Sequence, residues 1–416
     1  MSRRAALVPV GWALAIAAAV VLGRRWIVPL DVGLGAAPFA GRWDALPPAR
    51  LLPAVVLGSV VVIAGPPAAR RVPWWGVVMG AGLAASGWTV VLAVSEGWDR
   101  VTRPLTARYQ YEPYAAAHVR SGSDFLRHYV ALQPHLPIHV KAHPPGATLE
   151  PWALDRVGLG GAGWLAALAI LAWGVAIGSA LVAGRRLTGE ASMRSVAPVL
   201  VLLPAAVWAG TSLDALFAGV VGGGIACALA ERRALVALGG LLLGLALLLS
   251  WGAVAMVGIP VLILVWQRRF GRALAVALLP IAFLGLVQGA TGFVWLDGLR
   301  GTRTAYWLGV AHLRPTGYTT LLGNPAVLLV AVGPAVAVGL VVAIRRWRTP
   351  DLLPLLALAA VVAADASLLS KGEVERIWLP FVPWLALAAR RSSTRPWLVA
   401  QAGTAVAVQL LLRSPW

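Results

Sequence analysis

Residues 158–186 read GLGGAGWLAALAILAWGVAIGSALVAGRR, an uncharged run closed by the pair Arg185-Arg186. A helix needs about 20 apolar residues to cross about 30 Å of hydrocarbon, so this stretch predicts a membrane span with one basic end. The same ruler applied to the rest of the chain finds thirteen candidate spans: 5–22, 51–69, 74–95, 158–183, 194–210, 213–231, 234–250, 252–267, 271–291, 325–344, 352–369, 377–390 and 396–412. Several are short and nearly contiguous, separated only by Thr211-Ser212 or Ser250-Trp251. The expected fold is therefore all-α and polytopic, with about eleven to thirteen transmembrane helices in a single domain over residues 1–416. Of the 416 residues 59% are hydrophobic and 12% charged, which excludes a water-soluble enzyme. The single cysteine, Cys227, lies in an apolar run and reads as a packing residue.

The charge pattern sets an orientation. With 35 basic against 16 acidic residues the net charge is +19, but the cations punctuate apolar runs, so they report membrane topology and not a nucleic-acid partner. The first span follows Arg3-Arg4 and precedes Gly23-Arg24-Arg25, a retained anchor and not a cleaved signal. Placing the N-terminus in the cytoplasm puts Arg70-Arg71, Arg185-Arg186-Arg194, Arg232-Arg233, Arg268-Arg269-Arg272, Arg345-Arg346-Arg348 and Arg390-Arg391-Arg395 on the cytoplasmic side. The acids, not used in that assignment, separate with it: only Glu190, Glu231 and Asp351 fall inside. All six histidines fall outside, so the chemistry is expected at the outer face of the plasma membrane. Three segments there are large enough to carry it: a first loop over 96–157 with surface helices, a second over 292–324, and a short one around Lys371 to Trp378. Trp98, Trp152, Trp295, Trp307 and Trp378 lie near their borders, as in an interfacial aromatic belt.

In the first loop, residues 111–130 have helical spacing, with Ser123 or Asp124 as a helix start. Pro144-Pro145-Gly146 then turns the chain back towards the next span, leaving Lys141 and His143 at the membrane edge. The run Gly158–Gly163 follows no strand and opens an apolar span, so it reads as helix packing, as do the glycines at 222–224, and not as a dinucleotide loop.

Order and spacing here resemble the polytopic glycosyltransferases of the GT-C class, in particular the branch of the protein O-mannosyltransferases and the aminoarabinose transferase of lipid A. That branch opens its first outer loop with an acidic pair on a tyrosine-containing helix, followed some thirty residues later by a Lys-Pro-Pro turn. This chain has Tyr111-Glu112-Pro113-Tyr114 and then His143-Pro144-Pro145-Gly146, with Tyr111 standing where the first acid would be. Thr211-Ser212-Leu213-Asp214 and Gly372-Glu373-Val374-Glu375-Arg376-Ile377-Trp378-Leu379-Pro380 look like segments of uncharacterised actinobacterial membrane proteins of that class. The resemblance implies sugar transfer, with inversion, from a polyprenyl-phosphate donor to a cell-envelope glycan, lipid or protein on the outer face.

Such a transfer needs a base for the acceptor hydroxyl and cations for the departing phosphate. Glu112 is the candidate base, flanked by Tyr111 and Tyr114; the competing reading pairs it with Arg108 on one helix turn. Lys141, Arg303, Arg314, Lys371 and Arg376 are candidate phosphate binders, each competing with attraction to anionic membrane lipids. Arg376 stands out beside Glu373 and Glu375, with an ion pair to Glu375 as its competitor. His143 reads as a donor to phosphate or backbone. Asp214 and Asp365, near outer span ends where an acid is costly, read as cavity lining, with helix capping the alternative for Asp214. The spacing of His139 and His143 argues weakly for zinc. A magnesium or manganese ion held by Glu112 or Asp124 and the donor phosphate is compatible with the chemistry but not required by it.

A lipid or small-molecule transporter, or a noncatalytic membrane assembly partner, would use the same outer charges. The long first loop has no counterpart in the second half of the chain, which disfavours a transporter of two equivalent halves, whereas Tyr111 in place of an acid favours the noncatalytic reading. The orientation is testable directly: an impermeant thiol reagent should modify a cysteine placed at Ser123 and spare one placed at Thr349, and the reverse pattern would overturn it.

Overall fold

The computed structural model describes residues 7–346 and 351–416 and is that of an all-α polytopic membrane protein. Arg3, Arg4, Arg348 and Thr349 lie outside the described residues. Among the described residues five helical segments are long and apolar enough to span a bilayer: Val8–Leu30, Pro48–Arg71, Trp74–Glu96, Ala162–Thr188 and Phe270–Thr291. Thr316–Val332 and Pro334–Arg346 form a further apolar pair, a broken span or a re-entrant loop, bent by 109° where Gly333 takes a φ of 78°. Asp214–Ala228, Arg233–Leu249, Ala253–Trp266 and Leu352–Ala366 are apolar but shorter.

The count of full-length spans is thus smaller than the apolar runs predict, and burial explains why. The apolar windows of Val8–Leu30 and Phe270–Thr291 are each 17% buried, with Leu274, Leu278 and Ile281 facing outwards, so these helices meet lipid along their length. Inside the protein, neighbouring side chains replace lipid and irregular backbone is tolerated at membrane depth. Residues 377–390, expected as a span, are instead the turns Val374–Ile377, Val382–Ala386 and Leu387–Arg391, buried almost throughout. Residues 194–210 divide into Glu190–Val201 and Ala206–Ala209.

Small residues let the inner helices touch. A Cβ at Gly82 would lie 2.8 Å from the Gly174 carbonyl oxygen, and one at Gly174 would lie 2.7 Å from that of Gly82, so Trp74–Ala93 and Ala162–Thr188 meet backbone to backbone. Gly222 and Gly224 pack closely on Ala176 and Leu243, as their sequence context predicts. Gly158–Gly163 does not behave this way. Gly158, Gly161 and Gly163 have open space around them, and φ values of 79° at Gly158 and 94° at Gly161 make this the turn into Ala162–Thr188.

The basic loops gather at one end of the bundle, where each of the three acids assigned to that side is paired. Glu190 holds Arg185 and Arg194, Glu231 holds Arg269 and Arg272, and Asp351 holds Arg390. The segments over 96–157, 292–324 and 371–378 gather at the other end. The chain's tail returns there in a two-stranded antiparallel ladder, Arg42 opposite Arg413 and Trp43 opposite Leu412.

Gly82→Val should lower the thermal unfolding midpoint of purified protein, by overpacking worth about 1–3 kcal/mol. Gly80→Val, on the same helix with nothing within 4 Å, should leave it nearly unchanged.

Candidate functional site

The segment after Ser370 turns sharply. Gly372 and Glu373 take φ values of 91° and 61°, left-handed backbone uncommon for a residue with a side chain. The turn aims Arg376 inwards. Its Nη1 donates to Asp214 Oδ2 at 2.9 Å, its Nη2 donates to Glu373 Oε2 at 3.3 Å and lies 3.4 Å from His139 Nδ1, and its guanidinium stacks 4.4 Å from the ring of Trp416. Its buried Nε–H has no partner. The other oxygen of Glu373 takes Arg314 Nη2 at 2.7 Å.

Arg314 and Lys371 are fastened to backbone. Arg314 donates to the carbonyls of Val32 and Lys371, both at 2.8 Å, and Lys371 Nζ donates to those of His312 and Arg314 while lying over Trp307. Both therefore brace the loops over 27–47, 292–324 and 371–378 instead of standing free for a ligand. Glu375, expected as Arg376's competing partner, faces away: its Oε1 accepts from Ala40 N at 3.0 Å and from Trp416 Nε1 at 3.2 Å.

Burial and charge set the protonation states. Burial works to raise Glu373, but Arg314 and Arg376 outweigh it and hold the carboxyl at about 2. Burial, reinforced by Arg376, pushes His139 down to about 3, so it stays neutral. Glu375 is pushed up by burial.

Leu105, Gln110, Tyr111, Thr211, Ser212, Leu213, Asp214, Arg376 and Trp416 line a pocket at this cluster, with about 10 Å³ of room, enough for about one water molecule. The loop over 96–157 supplies Tyr111 from the start of Tyr111–His118, edge-on to His139 and His143. Ser212 Oγ donates to Asp214 Oδ2 and accepts from the Asp214 amide, while Asp214, the first residue of the helix Asp214–Ala228 and not its cap, faces Arg376. Both side-chain bonds fall on Oδ2.

The remaining predicted residues lie elsewhere. Glu112 is partly exposed beside the pocket-lining Tyr111 and raised by burial; Arg108 precedes the helix, so the pairing along one helical turn does not form. Tyr114 packs on His118 and Phe125. Asp124 is exposed and paired with His128, on a helix capped by Ser121 and not by Ser123 or Asp124. Lys141 lends its carbonyl to Gln133 and Thr302, and Arg303 is exposed. His143 is buried under Phe217 with Nδ1 at 3.3 Å from the Leu249 carbonyl, inside the protein and not at a membrane edge. Pro145 precedes a helix, Gly146–Arg156, where an extended turn was expected. Asp365 accepts from Asn324 Nδ2 at 2.6 Å, apart from Arg376. Trp378 is buried in the core, whereas Trp98 and Trp307 are exposed as a belt requires. Among the described residues no group of three His, Cys, Asp or Glu is arranged to hold a metal ion.

Sequence reasoning missed Gln110 and Trp416 as pocket walls, and it missed residues 27–47 altogether. That segment supplies Val32 to Arg314 and Ala40 to Glu375, and packs Ile27, Val32, Leu34 and Ala37 around Tyr318. Its glycines, Gly33, Gly35 and Gly41, were the available sign of a folded loop.

No family model matches the chain, and neither does any curated protein. Among solved structures it is similar to ArnT from Cupriavidus metallidurans, in the apo state and bound to undecaprenyl phosphate, at 17% identity over 65% of this chain, with TM-scores of 0.42 and 0.43. The match takes in 54% and 55% of the ArnT chain, so this protein spans about half the length of those structures.

Because Glu373 is held below its usual value near 4.5, its contribution to stability is complete above that pH and is lost as pH falls towards 2. The thermal midpoint of Glu373→Gln should lie below that of the wild type at pH 6, and the gap should close across that acid window.

Proposed function

We propose that this protein transfers a sugar from a polyprenyl-phosphate donor to an acceptor hydroxyl at the outer membrane face, with a GT-C-like arrangement. The observation that carries the reading is Arg376. A guanidinium buried at the end of an apolar helical bundle is costly, and this one keeps an unpartnered Nε–H beside a pocket that also presents Asp214 and the buried, unpartnered hydroxyl of Thr211. A fixed cation and a carboxylate on one pocket are what the displacement requires. The carboxylate takes the acceptor proton, the acceptor oxygen bonds to the anomeric carbon, and the bond to phosphate breaks as its oxygen gains charge beside Arg376. The order of residues in the outer loops, which resembles the polyprenyl-phosphate-dependent transferases, supports the same reading.

Two carboxylates compete for the base. Glu112 stands at the family's spacing and is raised by burial, towards a stronger base; Asp214 lines the pocket. Position decides first, because a base acts only within hydrogen-bond reach of the proton it takes, so Asp214 is assigned the role and Glu112 is the alternative. A divalent cation is not part of the proposed step.

Asp214→Asn should retain donor binding and lose transfer by roughly a hundredfold or more, Arg376→Gln should weaken undecaprenyl-phosphate-sugar binding several-fold, and Glu112→Gln should remain active. Loss of transfer in Glu112→Gln alone would move the base to the helix start. Movement of a lipid substrate with no glycosidic bond formed would replace the transferase by a transporter.

A further inference from the structure

Residues 414–416 close the pocket. Residues 410–413 are tied to 42–46 by the ladder and by the bonds from Asp44 N to Leu411 O and Leu46 N to Leu410 O. Beyond Arg413 no such ladder continues, and Ser414-Pro415-Trp416 is held from outside by side chains. Arg100 donates to the main-chain oxygens of Ser414 and Trp416, and the Trp416 indole covers the Arg376 guanidinium and donates to Glu375. Arg100 is itself buried, paired with Glu96 at 3.3 Å.

With the indole seated, the pocket has room for about one water molecule, less than a phosphate group needs. A ligand therefore enters only if a wall moves. The other lining residues of the outer end belong to helices, to segments continuous with them or to the braced turn at 371–376. Residues 414–416 have no ladder partner and are held by the Arg100 bonds and by the buried Trp416 indole, which packs on Arg376 and His139 and donates to Glu375.

We propose that residues 414–416 form a strap that competes with a phosphate-bearing ligand for Arg100 and Arg376. Displacing the indole uncovers one face of the Arg376 guanidinium, and displacing the main chain frees the Arg100 donors, so the same movement that opens the pocket presents a second cation to an anionic headgroup. Arg100 becomes a ligand-binding residue that the closed structure holds in reserve. The proposal rests on the polyprenyl-phosphate reading and adds the residue and the movement that admit the headgroup.

A nitroxide placed on Ser414→Cys, in full-length protein carrying Cys227→Ser, reads the strap directly. Undecaprenyl phosphate should turn its immobile spectrum into a mobile one. Trp416→Ala should bind that lipid several-fold more tightly than wild type, Trp416→Phe should lie between them, and Arg100→Gln should weaken binding in the Trp416→Ala background. Mobilisation by inorganic phosphate as well would support the competition, and the lower effective concentration would identify its source. Lipid binding with an immobile label and no gain in Trp416→Ala would overturn the strap and leave the functional reading standing. Absence of binding in both wild type and Trp416→Ala would overturn the functional reading and the strap with it.

Discussion

Arg376 lies buried between Asp214 and Glu373 at one end of an apolar bundle, and much of the architecture around it is arranged to keep it charged there. Removing one partner of a buried ion pair costs about 3–5 kcal/mol because the other charge is left uncompensated. The three residues come from the short turn at 374–377, from the first turn of Asp214–Ala228 and from a left-handed position before that turn. The pair thus fastens the two halves of the chain together, 162 residues apart in sequence. Arg314 extends the network through Glu373 to Val32, so the segment after the first long helix is registered against the same charges.

That arrangement depends on a rigid base. Ala162–Thr188 runs from the end of the loop over 96–157 to Arg185 and packs on Trp74–Ala93 through Gly82 and Gly174, and on Asp214–Ala228 through Gly219 and Gly222. Close backbone approach at these glycines fixes where Asp214 starts its helix. The position of the carboxylate is therefore a consequence of small residues lower in the bundle as well as of the guanidinium it meets.

The membrane class and the gathering of the loops are legible in sequence because hydropathy and arginine placement are local properties of the chain. The full-length span count is not, since a run such as 377–390 has the same composition whether it faces lipid or is folded into turns inside the protein. At the site, Arg376 and Asp214 stand out in sequence as charges at the edges of apolar runs. Their partnership does not, because nothing local distinguishes Asp214 from Glu375 as the acid that will meet the guanidinium. Trp416 carries no local sign at all: its place over Arg376 follows from where the tail is led by two residues of ladder. Glu112 illustrates the converse case, a residue singled out by spacing whose neighbour, Tyr111, is the one that lines the pocket.

The shortness of the inner helices affects how a long lipid would meet this protein. Asp214–Ala228 has 15 residues, a rise of about 22 Å against a hydrocarbon slab of about 30 Å. Its Ala226 end is held by Arg186 at the basic face, so a helix of this length set along the membrane normal from that face would end several ångströms short of the opposite boundary of the slab. The pocket at its Asp214 end would then be a recess below the membrane surface. Under the proposed function, a headgroup reaching Arg376 would descend into the protein while its prenyl tail stays among the acyl chains, and the cost of about 0.8 kcal/mol for each methylene drawn into water would not arise.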